Sequence, residues 1–140
     1  MIIANKSRRI LYISKSYKGK EHDYSLLKAE FPPETLWFAE LTVRLDLGFQ
    51  GFPDLYPSKE LFIPIKRKRV VKGQDNTLTP EQKAYNKATS QDRIYVEHSI
   101  GGMKRYQILV HRNRIKSKEI IDQVIGVCAG LWNYNLANSL

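Results

Sequence analysis

The sequence predicts a mixed α/β fold in which helices pack on a small sheet. Three observations carry this expectation. Short β-branched and aromatic runs occupy the first half of the chain, and longer segments of helical periodicity occupy the second. Proline, glycine and asparagine punctuate the boundaries between them. At 140 residues the chain is expected to be one domain, 1–140, large enough to bury a core.

The elements follow in order. "MIIA" and "RILYI" at 9–13 read as a hairpin with Asn5, Lys6 and Ser7 in the turn. "GKEHDYSLLKAEF" shifts to helical spacing, with Tyr24, Leu27 and Phe31 on one face; Asp23 is the expected N-cap, and Pro32–Pro33 stop the helix. Residues 42–46 form a second strand candidate, and "ELFIPIKRK" a third that Pro64 confines to a sheet edge. The segment 70–78, "VVKGQDNTL", reads as a loop turned by Gly73 and Asn76. A long helix is expected from Thr79, with Thr79 as N-cap, Pro80 at the first helical position and Gln82 closing a capping box. It is expected to reach about Tyr106, with a break at Thr89–Ser90, where two poor helix formers adjoin. The last helix, 117 to about 137, is amphipathic, with Ile121, Val124, Cys128, Leu131 and Trp132 on one face.

Composition narrows the function. Twenty-three Lys and Arg oppose fourteen Asp and Glu, a formal charge of +9 that favours a polyanionic partner, nucleic acid first. The cations cluster as Lys66, Arg67, Lys68 and Arg69, as Lys104 and Arg105, and in "HRNRIKSK" at 111–118. No apolar run reaches membrane-spanning length and the N-terminus lacks a signal-peptide pattern, so a cytoplasmic protein with no membrane partner is expected. The single cysteine, Cys128, excludes an internal disulfide and a cysteine-based zinc site and reads as a buried structural thiol. His22, His98 and His111 fit no metal-ligand spacing; His98 reads as supporting or structural.

Two acids stand out. Asp46 sits where an apolar strand meets the glycine-spaced turn "DLGFQGF". It reads either as a turn or cap residue or as an oxygen ligand for a hard cation such as Mg²⁺. Glu97 lies between Arg93 and Lys104 at spacings of four and seven, which an unbroken helix would place on one stripe. That stripe is either a solvated ion-pair face, worth about a few tenths of a kcal/mol per pair, or part of a site. Gly101 and Gly102, one turn further on, cost a helix about 1 kcal/mol each and imply that something approaches that surface closely. Ile94, Val96 and Ile100 around Glu97 place it at a core edge.

These residues resemble a known family. "DLGFQGF" followed by "LTPEQKAYNKATSQDRIYVEHSIGGMKRYQIL" is similar to the C-terminal half of bacterial insertion-sequence transposases of the Asp-Asp-Glu type. The second-acid motif, Asp-x-Gly-[Tyr/Phe]-Gln-Gly, is matched by Asp46, Gly48, Phe49, Gln50 and Gly51. The third-acid motif, Arg-Ile-x-Val-Glu-His, is matched by Arg93, Ile94, Val96, Glu97 and His98. Arg93, Glu97 and Lys104 satisfy the related Arg-x₃-Glu-x₆-Lys signature, although Ser90 stands where a tyrosine often precedes the arginine. "GKEHDYSLL" resembles the Gly-x-x-His-Asp segment between the first and second acids.

The resemblance implies a ribonuclease-H-like α/β domain, a mixed sheet with flanking helices. It implies DNA cleavage and strand transfer in transposition, with Asp46 and Glu97 as metal ligands converging on divalent Mg²⁺ or Mn²⁺ within roughly 4 to 8 Å of each other. Arg93 and Lys104 would contact DNA phosphates or position Glu97, with Arg105 and Lys66 to Arg69 as further DNA-binding cations. The family's first acid lies in an Asp-Gly-Thr-like motif on an earlier strand, which has no counterpart here. The chain is therefore expected to lack that first strand, as a truncated or split copy that does not cut DNA alone, with the upstream half of the same transposase as a partner. The alternative is a basic DNA-binding module derived from a transposase and without catalysis.

Overall fold

β-branched residues at both ends of "MIIANKSRRILYI" pair as antiparallel strands, β1 (Ile2–Ala4) and β2 (Ile10–Ile13), in the expected hairpin. The computed structural model describes residues 1–17, 19, 21–67, 77–111 and 114–138. These fall into two compact units, Met1–Glu21 with Ile94–Leu140, and His22–Arg93.

In the first unit the hairpin register runs Ile2 to Ile13 and Ile3 to Tyr12, then shifts so that Ala4 faces Ile10. The turn closes through Arg8 N–H to the Asn5 carbonyl (2.9 Å) and Asn5 N–H to the Arg9 carbonyl (3.0 Å), with Arg8 at φ 64°. That left-handed conformation is uncommon outside glycine, and here two hydrogen bonds hold it. The Arg8 carbonyl accepts from Trp132 Nε1 (2.9 Å) and from the buried Ser99 hydroxyl (2.8 Å).

Helices α4 (Ile94–Met103) and α5 (Lys118–Asn138) pack on the hairpin around a core of Ile10, Met103, Cys128, Ala129 and Trp132. Asn133 fastens α5 to β2 by accepting from Ile10 N–H and donating to the Ile10 carbonyl, both at 2.8 Å. The unexplained glycine pair is half resolved here. A Cβ on Gly102 would meet the Trp132 ring at 2.3 Å, whereas one on Gly101 would meet nothing within 4 Å. Cys128 is the buried structural thiol expected, and burial pushes its pKa up. Leu131, expected on the buried face, is 46% exposed, because α5 turns Cys128, Ala129 and Trp132 inward instead.

The second unit begins with α1 (Asp23–Glu30), whose N-cap is His22 rather than Asp23. Asp23 instead occupies the first helical turn, where a carboxylate favours the helix dipole. Leu26 and Leu27 are buried, and the chain leaves the helix at Phe31 ahead of the prolines. Phe31, Phe38, Phe52 and Tyr56 form an aromatic cluster with ring centroids 4.9 to 5.5 Å apart. Phe52, on the one-turn helix α2 (Phe52–Leu55), is fully buried, and Tyr56 donates to the Phe31 carbonyl at 2.6 Å. Burying a ring of this size stabilises by about 1.5–3 kcal/mol.

Strands β3 (Thr42–Arg44) and β4 (Glu60–Phe62) pair in parallel, Thr42 to Glu60 through Arg44 to Phe62. β4 stops before Pro64, as a residue without an amide donor requires. Helix α3 (Pro80–Gln91) starts in the expected capping box: Gln82 N–H donates to Thr79 Oγ1 (3.2 Å) and Thr79 N–H to Gln82 Oε1 (3.0 Å).

Three expectations change. The described strands form two two-stranded sheets, one antiparallel and one parallel, in place of one mixed sheet. The helical break falls at Asp92–Arg93, not Thr89–Ser90, because Thr89 is buried and the Ser90 hydroxyl bonds back to the Lys87 carbonyl (2.8 Å), which keeps both helical. The second piece ends at Met103, ahead of a 3-10 turn at Gln107–Leu109, and does not reach Tyr106. Gly73 and Asn76 lie outside the described residues.

Candidate functional site

The "DLGFQGF" segment folds as a tied turn just past β3. The strand ends at Arg44, and Leu45 N–H still reaches the Phe62 carbonyl (2.9 Å). Asp46 then caps a 3-10 turn, Leu47–Phe49, its Oδ1 accepting from Leu47 N–H at 2.6 Å. The Phe49 ring stands edge-on to Tyr24 at 6.4 Å between centroids. Gln50 Nε2 donates to the Pro64 carbonyl (2.8 Å), tying the turn to the chain beyond β4. Tyr24 donates to the Gly51 carbonyl at 2.6 Å, and a Cβ on Gly51 would sit 2.9 Å from the Tyr24 ring, so this glycine is required by close approach. Burial first, then the nearby Asp54 carboxylate, pushes the Tyr24 hydroxyl pKa up. Nothing in the structure explains a glycine at 48.

Asp46 also meets Arg93. The guanidinium Nη1 lies 3.3 Å from Asp46 Oδ1, with the two side chains 48% and 47% exposed. Both residues belong to the His22–Arg93 unit. The contact thus joins a residue of the second-acid motif to one of the third-acid motif. At that exposure the pair contributes about 0–1 kcal/mol, weak enough to exchange. A second ion pair lies beside it, between Arg44 Nε and Asp92 Oδ2, with the Arg44 guanidinium 4.6 Å from the Phe62 ring centroid. Sequence reasoning missed this pair: residues 48 apart with no shared pattern gave it no signal.

The other candidates are placed as follows. Glu97 lies on α4 and is exposed, not at a core edge, because α4 turns Ser99, Gly102 and Met103 inward. Arg93 immediately precedes α4 and Lys104 immediately follows it, its N–H still bonding to the Ile100 carbonyl (3.0 Å), so Glu97 is the one of the three within the helix bounds. Lys104 and Arg105 are exposed, and the Arg105 guanidinium lies 5.8 Å from the Trp132 ring centroid. Lys66 and Arg67 are exposed after β4, whereas Lys68 and Arg69 lie outside the described residues. His98 is exposed on α4.

Among the described residues no group of three His, Cys, Asp or Glu side chains is arranged to hold a metal ion. The half-exposed Asp46 carboxylate offers a hard oxygen of the kind Mg²⁺ and Mn²⁺ take. The donor chemistry fits a divalent ion that keeps part of its water shell. Among the described residues no helix is long and apolar enough to cross a membrane.

A tied turn bearing one acid, reached by the arginine that precedes a second acid, has the residue pattern of an Asp-Asp-Glu nuclease. The sequence comparison agrees: residues 1–133 match the DDE superfamily endonuclease family, and the chain belongs to it. Among curated proteins, the chain is 33% identical over 140 residues to the "Probable transposase for insertion sequence element IS702" of Microchaete diplosiphon. That alignment covers 98% of this chain and 45% of the relative, so the chain spans less than half of that protein's length. No solved structure matches the chain.

Proposed function

We propose that this chain is a segment of the catalytic core of an insertion-sequence transposase with a ribonuclease-H-like fold, and that Asp46 and Glu97 are the second and third acids of its triad. The observation that supports this reading is the Arg93–Asp46 contact, which brings the first residue of the third-acid motif beside the acid of the second. In this account Asp46 and Glu97 hold divalent Mg²⁺ or Mn²⁺. When bound, paired ions of that kind activate a water and stabilise the leaving oxygen of a phosphodiester. The chain's own part is to present the acids and to supply cations for phosphate. The tied turn fixes the Asp46 backbone through Tyr24 and Gln50. Arg93 offsets the Asp46 charge, and its half-exposed guanidinium would be available to a DNA phosphate where a divalent ion is held by the carboxylate. Lys104, Arg105, Lys66 and Arg67 are exposed and supply further phosphate contacts.

One observation favours the alternative, a DNA-binding module without chemistry. Asp46 Oδ1 is already used by the Leu47 amide and by Arg93, as a purely structural cap would be. Reconstitution separates the two. The chain should not nick a DNA carrying transposon ends when incubated alone with Mg²⁺ or Mn²⁺. It should do so when supplied with a polypeptide carrying an Asp-Gly-Thr-like strand from the same element, and lose that activity in Asp46→Ala and Glu97→Ala. Reconstituted nicking that survives both substitutions overturns the assignment.

A further inference from the structure

The hairpin turn contributes to a basic groove that neither Asp46 nor Glu97 lines. It has a volume of about 740 Å³ and lies wholly within the unit that contains the hairpin, α4 and α5. Lys6, Arg8 and Arg9 border it from the turn, and Ile94, Tyr95 and His98 from α4. Among the described residues no acidic side chain lines it. The three turn cations are exposed.

The turn is held in one shape. Arg9 N–H donates to the Asn5 carboxamide (3.0 Å), in addition to the two backbone bonds that close the turn. The Arg8 carbonyl is fixed from α4 by Ser99 and from α5 by Trp132. Holding a non-glycine residue at φ 64° is costly, and the two bonds stabilise that geometry. As a result Lys6, Arg8 and Arg9 are presented from an ordered turn at the mouth of a concave surface. An unopposed cluster of cations on a fixed backbone is the arrangement that takes phosphate groups of a polyanion. The exposed apolar edge of Ile94, 48% accessible, and the Tyr95 side chain suit the sugar and base edges that accompany a phosphodiester and not a free inorganic anion.

We propose that the Lys6–Arg9 turn with α4 is a second DNA-contact site, binding the phosphodiester backbone in this groove. The proposal takes from the function above only that the polyanion is DNA.

The test measures binding of a labelled duplex, and of one of its strands, by fluorescence anisotropy across a salt series. It compares the intact chain with the triple variant Lys6→Ala, Arg8→Gly, Arg9→Ala. Glycine at 8 keeps the carbonyl that Ser99 and Trp132 use and suits the positive φ, so the turn is retained. Each lost phosphate contact lowers the slope of log K against log salt by about 0.9 on duplex, so the slope should fall by up to ~2.7. At about 0.1 M salt each contact contributes up to ~8-fold, so loss of all three should lower affinity by up to ~500-fold. The single variant Arg9→Glu, which alters only an exposed side chain, should weaken binding in the same direction and serves if the triple variant does not fold. An unchanged slope and affinity in these variants, with Lys66→Ala/Arg67→Ala removing the binding instead, overturns the groove and leaves the function above standing. Competition by inorganic phosphate as effective as competition by unlabelled duplex overturns DNA as the ligand. Absence of DNA binding by the intact chain at low salt overturns the proposal outright. The function above fails separately, through loss of metal binding at Asp46 and Glu97.

Discussion

Adjacent glycines on α4 should respond to alanine with opposite signs. A Cβ at Gly102 would lie 2.3 Å from Trp132 Cζ3, 2.4 Å from Cε3 and 2.5 Å from Cη2. The indole cannot simply swing away, because it is 7% exposed and its Nε1 donates to the Arg8 carbonyl at 2.9 Å. Overpacking of this kind costs about 1–3 kcal/mol. Displacing the ring loses a hydrogen bond of about 1 kcal/mol. The gain in helix propensity from glycine to alanine, about 1 kcal/mol, offsets only part of this. Gly102→Ala should therefore destabilise by about 1–3 kcal/mol. Gly101→Ala meets nothing within 4 Å and keeps only the propensity gain, so it should stabilise by up to about 1 kcal/mol. The assay is urea unfolding followed by tryptophan fluorescence and circular dichroism, with thermal melts alongside. A destabilisation of 1 kcal/mol lowers Tm by about 3–4 °C in a chain of this size. Equal, stabilising effects at both positions would refute the packing of α4 against Trp132.

Further outcomes follow from single contacts. Tyr24→Phe removes the donor to the Gly51 carbonyl and should cost about 1 kcal/mol in unfolding free energy while loosening the Asp46 turn, read as faster amide exchange over residues 47–51. Arg93→Ala breaks a half-exposed ion pair, so equilibrium unfolding should shift by less than about 1 kcal/mol while reconstituted nicking falls; a larger stability loss would make Arg93 structural. Hydrogen bonds from the Ser16 side chain and amide, the latter at 2.7 Å, hold the Asp122 carboxyl below its ordinary pKa. Its folded pKa is lowered, so its stabilising contribution is present above the unfolded value near ~3.9 and is lost as pH falls through the folded value. The stability gap between the intact chain and Asp122→Ala, measured by urea unfolding, should accordingly narrow as pH is lowered below about 4 and stay constant above about 5.

Local chemistry was the legible part of the fold. The Thr79–Gln82 capping box and the hairpin each depend on residues a few positions apart, and each formed as expected. What depended on distant partners was not legible. The long helix breaks at Asp92, which pairs with Arg44, and no local pattern announces a contact across 48 positions. The Gly101–Gly102 pair signalled a close approach without saying that only Gly102 needs it, or that Trp132 on another helix is the cause. For the site, both readings of Asp46 had a basis: it caps a turn, and it lies beside the arginine of the other acidic motif. Helical spacing gave α4 but not its bounds: the helix opens one residue after Arg93 and closes one residue before Lys104. The basic groove escaped notice because its cations lie in the N-terminal turn while its other wall lies some 90 residues later on α4.

The central claim is that Asp46 and Glu97 serve one metal centre, and a double-mutant cycle on Mn²⁺ binding tests it most directly. Free Mn²⁺ would be followed by electron paramagnetic resonance during titration of the intact chain, of Asp46→Asn, of Glu97→Gln and of the double variant, each with a short DNA duplex present. Removing one of two protein carboxylates should weaken Mn²⁺ binding at least tenfold, roughly 1.4 kcal/mol. If the acids share the site, the double variant should lose markedly less than the sum of the single losses, because the second substitution acts on a centre already broken. Single losses that add fully, or Mn²⁺ affinity indifferent to either acid, would contradict a shared centre.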